Sequence, residues 1–366
     1  MPKTYFFLFS LVILFSACRS PHDDEVLKKR IVEALKRKPL ITEVETTPLE
    51  QYQDKDMSYL KWMTMNDTHI AGVAHNGLVH LWKRDGSYIG QAGTWGKGPG
   101  EYVQTTILFF IGHELFGLWD NARRVINTYR IEEDAVVFDD QYDMSAIIRY
   151  APGSISVQDE YLYLYNDTGY FENTPRVIRI HNSVFLDGAA LAIDKTYFKL
   201  FPLSGVKGLI TSILTFCVFD DYVYFRDPYD NIPPASQLKL PSSSSPYVYQ
   251  GTTDGKILKK YKVGKEMSYF FIDNSQSVLI VTGGLDDYDF YSLSSGNAIH
   301  QVNFDFDAFC KHLLKKSLLS GSMSFNIGTG NTMIFITEPV LNDKKTCAIL
   351  HICEVDLGLG EENEEE

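Results

Sequence analysis

The reactive group that the sequence isolates most clearly is the thiol of Cys18. It closes the segment MPKTYFFLFSLVILFSAC, in which Lys3 precedes an apolar run from Tyr5 to Phe15 and Ser16-Ala17 stand directly before the cysteine. A basic start, a short apolar core and small residues at the cut mark a cleaved export signal. The run is shorter than the about 20 apolar residues that a bilayer span requires. Residues 1–17 therefore read as a lipoprotein signal peptide, and Cys18 as the lipidation site. Acyl chains on that thiol would anchor the protein at about 0.8 kcal/mol per buried CH₂.

Other residue types suggest other chemistry, and each has a simpler reading. His69, His75 and His80 are spaced so that one strand face cannot carry all three, so they read as exposed strand or loop residues and no metal site is assigned. Asp139-Asp140, Asp220-Asp221 and Asp286-Asp287-Tyr288-Asp289 gather carboxylates. Paired carboxylates can hydrolyse glycosides, but Asx-turns between strands account for such clusters. None matches a calcium loop. Cys217, Cys310, Cys347 and Cys353 lack the spacing of a zinc site. They read as small buried hydrophobes. No cofactor is implied and no catalytic residue is assigned.

Net charge is −13. That argues against nucleic acid as a partner, because phosphate binding needs a basic face. Aromatic residues make up 13%, with 22 tyrosines and 23 phenylalanines, a composition suited to pleated, half-buried surfaces. Residues 18–42 read as the lipidated cysteine and a tether. Its short helix, capped near Asp23, carries Lys28, Lys29, Arg30, Lys36, Arg37 and Lys38 as a solvated spacer. The glutamate-rich end, residues 359–366, reads as a disordered acidic tail.

Between them, residues 43–358 break into segments of about 40 to 60 residues, the period of propeller blades. Each has strand-like runs, and Asp85-Gly86, Asp254-Gly255 and Ser295-Gly296 mark equivalent hairpins. Six such segments predict an all-β, six-bladed β-propeller. Residues 43–52, TEVETTPLEQ, would add a strand to the last blade and close the ring. Paired β-sandwiches are the competing architecture, since they also show strands at short spacing. The stretch 306–319 reads as an amphipathic helix with Phe309, Leu313 and Leu314 on one side.

Gly96, Gly98, Pro99, Gly100 and Glu101 form the most distinctive run after Cys18. The glycines permit left-handed backbone, Pro99 fixes one φ, and Glu101 can accept loop N–H groups. The run lacks the helix and Lys-Ser/Thr ending of a phosphate-binding loop, so its role reads as a structural crossing, with Tyr102 beginning the next inner strand. With Trp95 and Tyr102 around it, the run resembles the Gly-Pro-Gly-Glu-aromatic signature of TolB-like six-bladed propeller lipoproteins of Bacteroidetes. The resemblance implies a propeller held in the cell envelope, in the outer membrane, and supplies no catalytic residues. Asp23-Asp24-Glu25 is similar to the acidic stretch that directs such proteins to the surface.

Two insertions, 166–176 and 226–250, interrupt the third and fourth segments. Tyr170, Phe171, Arg226, Tyr229, Tyr247 and Tyr249 are the residues expected to make a recognition face there, because binding residues concentrate on long loops. The expected function is a binding module for a protein, peptide or glycan of the envelope. The alternative is a propeller lyase or hydrolase with its site at a channel mouth.

Overall fold

Strand β8 (Thr105–Ile111) states the principle of the fold in one element. Leu108 and Phe110 pack to one side, against Val79, Leu81 and Phe116, while Phe109 and Ile111 pack to the other, against Trp119, Leu162 and Ile178. Side chains alternate across a strand, so a run that is apolar throughout must have protein on both faces. Strand β21 (Val278–Thr282) does the same with Val278 and Ile280 against Leu279 and Val281. In β25 (Thr332–Thr337), Met333 and Phe335 oppose Ile334 and Ile336.

The structure, a computed structural model, describes residues 21–50, 60–146, 148, 152–158, 160–166, 177–187, 193–194, 216–219, 222–226, 247–252, 256–263, 269–273, 277–282, 286–316, 323–327, 332–337, 348–357 and 359. Among them the chain is all-β, with six four-stranded antiparallel sheets and one two-stranded ribbon. Each of the first five sheets is built from consecutive strands. The first holds β2 (Lys61–Met65), β3 (His69–Val73), β4 (Val79–Lys83) and β5 (Tyr88–Ala92); the ribbon is β6 (Thr94–Trp95) with β7 (Glu101–Tyr102). The second holds β8, β9 (Leu115–Asp120), β10 (Val125–Glu132) and β11 (Ala135–Asp143). The third holds β12 (Pro152–Gln158), β13 (Tyr161–Asn166), β14 (Val177–His181) and β15 (Ile193–Asp194). The fourth holds β16 (Phe216–Phe219), β17 (Tyr222–Arg226), β18 (Tyr247–Thr252) and β19 (Ile257–Lys262). The fifth holds β20 (Tyr269–Ile272), β21, β22 (Asp287–Ser292) and β23 (Ala298–Asn303). The sixth orders β1 (Ile41–Leu49), β26 (Ala348–Val355), β25 and β24 (Met323–Ile327), so the first strand of the chain lies beside the last.

The core lies in layers between successive sheets. Apolar clusters join the sixth sheet to the first, the first to the second, the second to the third, the fourth to the fifth, and the fifth to the sixth. The opening strands of neighbouring sheets also meet, β24 with β2, β2 with β8, β8 with β12, and β12 with β16.

Strand β1 ties the sixth sheet to the first. Its backbone pairs with β26 from Ile41↔Val355 to Leu49↔Ala348, as the sequence of residues 43–52 leads one to expect. Glu43 faces the fully buried His351 of β26, with Oε1 2.7 Å from Nδ1, and Thr337 meets the other ring nitrogen at 3.2 Å. Arg84 of the first sheet donates from Nε to both carboxylate oxygens of Glu45, at 2.9 and 2.7 Å. That hydrogen bond, opposed by burial, holds the Glu45 carboxyl below its ordinary value of 4.5. A lowered folded value means stabilisation that is present above the unfolded value and lost as pH falls through the folded one. The pair is partly exposed, so Glu45→Gln is expected to cost less than about 1 kcal/mol at pH 7. The gap between the two proteins in urea midpoint should close as the pH is taken below 4.5. A gap unchanged down to pH 3 or so would contradict this account of the pair.

The helix Pro21–Arg37 corrects the expectation of a solvated spacer. Ile31 and Ala34 are buried among Phe271, Val355 and Leu357, with Leu27 and Leu35 packed beside them. Spacings of three and four residues put these on one helix face. Arg30 Nη2 donates to Leu359 O at 2.8 Å, and Lys38 Nζ lies 3.3 Å from Asp356. Leu359 is itself buried, so the folded body extends past the expected boundary at 358. The helix Phe306–Lys316 packs Leu313 and Phe309 onto the same cluster, as expected from its amphipathic pattern. Cys353 is buried there, and burial pushes the half-buried Cys310 thiol up to about 11.

Candidate functional site

The chain leaves the first sheet at Gly93 and enters the second at Thr105, and the Gly-Pro-Gly-Glu run makes that crossing. Thr94 and Trp95 pair in parallel with Glu101 and Tyr102. Glu101 does what its position suggests, with Oε2 accepting the Gly98 N–H at 2.6 Å. Gly100 is left-handed at φ 71 and Gly96 lies at φ 156, where a Cβ would stand 2.0 Å from Glu101 Oε2. Gly98 is not left-handed; its contribution is the N–H that it donates.

The second sheet grips the crossing from the other side. Arg123 Nη1 and Asn127 Nδ2 donate to Glu101 O at 2.9 and 3.1 Å, and Gln141 bridges the two donors. Tyr129 donates to Gly100 O at 2.9 Å. The buried Asp120 accepts the Val103, Gln104 and Ala122 N–H groups. Tyr102 is fully buried and its hydroxyl accepts the Val79 N–H at 3.0 Å. Burial pushes the Tyr102 and Tyr129 phenols above their ordinary range. The polar groups of the motif are thus engaged by the fold. Tyr102 closes this two-residue ribbon rather than opening the inner strand, which starts at Thr105.

Two tryptophans at this end of the first sheet have features the sequence did not reveal. Trp95 is 51% exposed, yet its Nε1 donates to Asn76 O at 3.1 Å and its ring lies on Gly77, where a Cβ would come within 2.4 Å. Trp62 is 48% exposed and has φ 44. It lies in a register shift between Lys61, opposite Val73, and Thr64, opposite Ala71. Positive φ is an outlier for a bulky side chain.

The other candidates disperse. His69 stacks on Phe110 and meets Thr68 Oγ1 at 2.8 Å; burial holds its ring below the ordinary value. His75 is exposed. His80, expected to be exposed, is buried with its Nδ1 3.0 Å from the Tyr88 hydroxyl. Among the described residues, no cluster of three or more metal-ligating side chains is assembled. Asp139 and Asp140 belong to strand β11 rather than a turn, and Arg130 donates to Asp139 at 2.7 Å. Asp287 and Asp289 belong to β22, where burial, then Asp287, raises the Asp289 carboxyl; Asp220 and Asp221 lie outside the described residues.

Of the expected recognition residues, Tyr249 is a fully buried strand residue and Tyr247 lies half-buried in β18 under Lys260, whose Nζ is 3.7 Å from its ring centroid. Strand alternation and pairing with β17 and β19 put them there, so this insertion ends before Tyr247 and neither tyrosine belongs to a loop. Arg226 ends β17. Tyr170, Phe171 and Tyr229 lie outside the described residues, as do Cys18 and the acidic tail from residue 360.

No family model and no curated protein sequence matches the chain. Among solved structures, it is similar to a "putative exported protein" from Bacteroides fragilis, with a TM-score of 0.52 at 11% identity over 86% of this chain and 95% of that one. A computationally designed protein, Ika8, aligns at a TM-score of 0.41 and 9% identity over 85% of this chain and 99% of that one. The likeness to the Bacteroides fragilis structure is one of fold: the sheet arrangement described above has a solved counterpart along nearly its whole length.

Proposed function

We propose that the six sheets are the blades of a TolB-like propeller, held in the cell envelope by lipid on Cys18, and that the molecule is a binding module for an envelope protein, peptide or glycan. Three features support the propeller over paired sandwiches. Sheets flanked on both faces by neighbours, as the first, second, fifth and sixth are, fit the blade arrangement, whereas a sandwich sheet has one packed face. The opening strands meet in chain order, and β1 completes the sheet of β26. The docked N-terminal helix, beginning three residues after Cys18, puts the body close to any membrane that holds that lipid, with Lys28, Lys29, Lys36 and Arg37 exposed. No helix among the described residues is long and apolar enough to cross a bilayer.

One observation carries the binding role. In each sheet the second strand ends, and the third begins, at the end where the first strand starts. In a propeller these connections share one face. At that end the described chain stops at Asn166 and Arg226 and resumes at Val177 and Tyr247, and the backbones of Trp62 and Trp95 lie there too.

Cys18→Ser is expected to move the protein from the membrane to the soluble fraction on fractionation. Retention of the variant in the membrane removes the lipid anchor from the reading. The binding role is tested separately, by retention of envelope components on the immobilised protein and its loss when residues 227–246 are replaced by a short linker.

A further inference from the structure

Exposure of a single apolar side chain is ordinary and needs no explanation. Trp62 and Trp95 differ because each is held at a cost, or with a constraint, that folding does not require. A left-handed backbone costs a residue with a Cβ roughly 1–2 kcal/mol, and the Trp62 bulge accepts that cost while leaving the residue half-exposed. The Trp95 ring is immobilised instead. Its N–H is committed to Asn76 O, and its six-membered ring rests on the bare backbone of Gly77, itself left-handed at φ 81. Lys61 pairs with Val73, the last residue of β3, so the backbone of Trp62 lies at the end of the sheet where the turn under Trp95 follows. Near Trp95 along the chain and its turn, His75, Thr94 and Lys97 are exposed and polar.

We propose that Trp95, with Trp62 beside the same turn, is a stacking platform for the pyranose rings of a neutral saccharide. The proposal rests on the reading of this end as a binding face and names its ligand class. An indole face is electron-rich and attracts the polarised C–H groups on the flat side of a sugar ring. The sugar's hydroxyl rim then meets the polar residues around the turn. A protein hot spot instead needs a contiguous apolar pocket sealed from water, and a half-exposed indole backed by the buried Tyr102, with Thr94 and Lys97 exposed beside it in the chain, does not make one. A neutral ligand is also indifferent to the net charge of −13. A ring already fixed loses little freedom on binding, so its contact energy is retained.

The four tryptophans make the test specific, because Trp82 and Trp119 are fully buried and iodide will quench only Trp62 and Trp95. Neutral hexasaccharides of glucose, mannose, xylose and N-acetylglucosamine are titrated singly into the purified protein. At least one is expected to shield the quenchable emission saturably. Trp95→Ala should weaken that binding by at least about tenfold, Trp95→Phe less, and Trp62→Ala measurably, with circular dichroism and melting temperature confirming each variant's fold. Should Trp95→Ala fail to fold, Trp62→Ala decides. Protection by none of the sugars, or affinity unchanged in the folded variants, overturns the proposal. If sugars fail while the immobilised protein still retains envelope proteins through residues 227–246, the binding-module reading stands and the saccharide alone is lost.

Discussion

Replacing Glu43 by alanine is expected to destabilise the protein by about 2 kcal/mol, the cost of leaving a buried imidazole nitrogen without its partner. The carboxylate is 9% exposed and the His351 side chain 0%, so water cannot take over the contact at Nδ1. The loss is larger than a count of one hydrogen bond suggests, because the imidazole keeps the desolvation cost that the carboxylate had offset. It also falls where chain ends meet, since β1 is held to the sixth sheet by its ladder with β26 and by this pair. The paired replacement Glu43→Leu with His351→Leu separates the two effects. Removing both partners together is often neutral, so the double variant is expected within about 1 kcal/mol of the parent. Urea unfolding followed by circular dichroism gives both values. A single variant within about 1 kcal/mol of the parent means that the pair contributes little to holding β1 on the sixth sheet.

Why that pair was invisible in the sequence, while the strand carrying it was not, shows where sequence reasoning runs out. Residues 43–52 alternate and end in turn chemistry, which is local information. The contact between Glu43 and His351 spans 308 residues and depends on register. Apolar runs such as Val278-Leu279-Ile280-Val281 were legible as buried strands, because each residue type reports its own burial. The roles of Gly96, Gly100 and Glu101 were legible for a similar reason: a glycine, a proline and a carboxylate within six residues constrain one another.

Trp95 was not, because its orientation is set by Gly77 and Asn76 across the sheet. Trp62 depends on a bulge that only pairing with β3 creates. Tyr249 was misjudged because the stretch around it reads as loop, whereas pairing with Phe225 and Lys260 makes it a strand residue. In the N-terminal helix, the conspicuous lysines and arginines masked the stripe Leu27, Ile31, Ala34 and Leu35 that docks it.

The crossing itself supports the second large effect. Gly93→Ala is expected to cost about 3 kcal/mol, from left-handed strain and overlap together. Gly93 has φ 62, and a Cβ there would stand 2.2 Å from the Gly100 carbonyl oxygen and 2.6 Å from the Tyr129 hydroxyl. Neither can yield cheaply. The carbonyl belongs to backbone, and the hydroxyl is the donor that holds that same carbonyl. Gly112 is the internal control, with a similar φ of 65 and nothing within 4 Å of its Cβ. Gly112→Ala bears only the conformational term, about 1–2 kcal/mol. The difference between the two variants therefore isolates the close approach of β5's end to the Gly-Pro-Gly-Glu turn. Because Gly93 immediately precedes Thr94 and Trp95, displacement there should also disturb the indole, and Gly93→Ala alone should increase iodide access to Trp95. Equal losses in the two variants would show that the backbones do not press together at the crossing, and the packing that fixes Trp95 over Gly77 would then have to come from the β3–β4 turn alone.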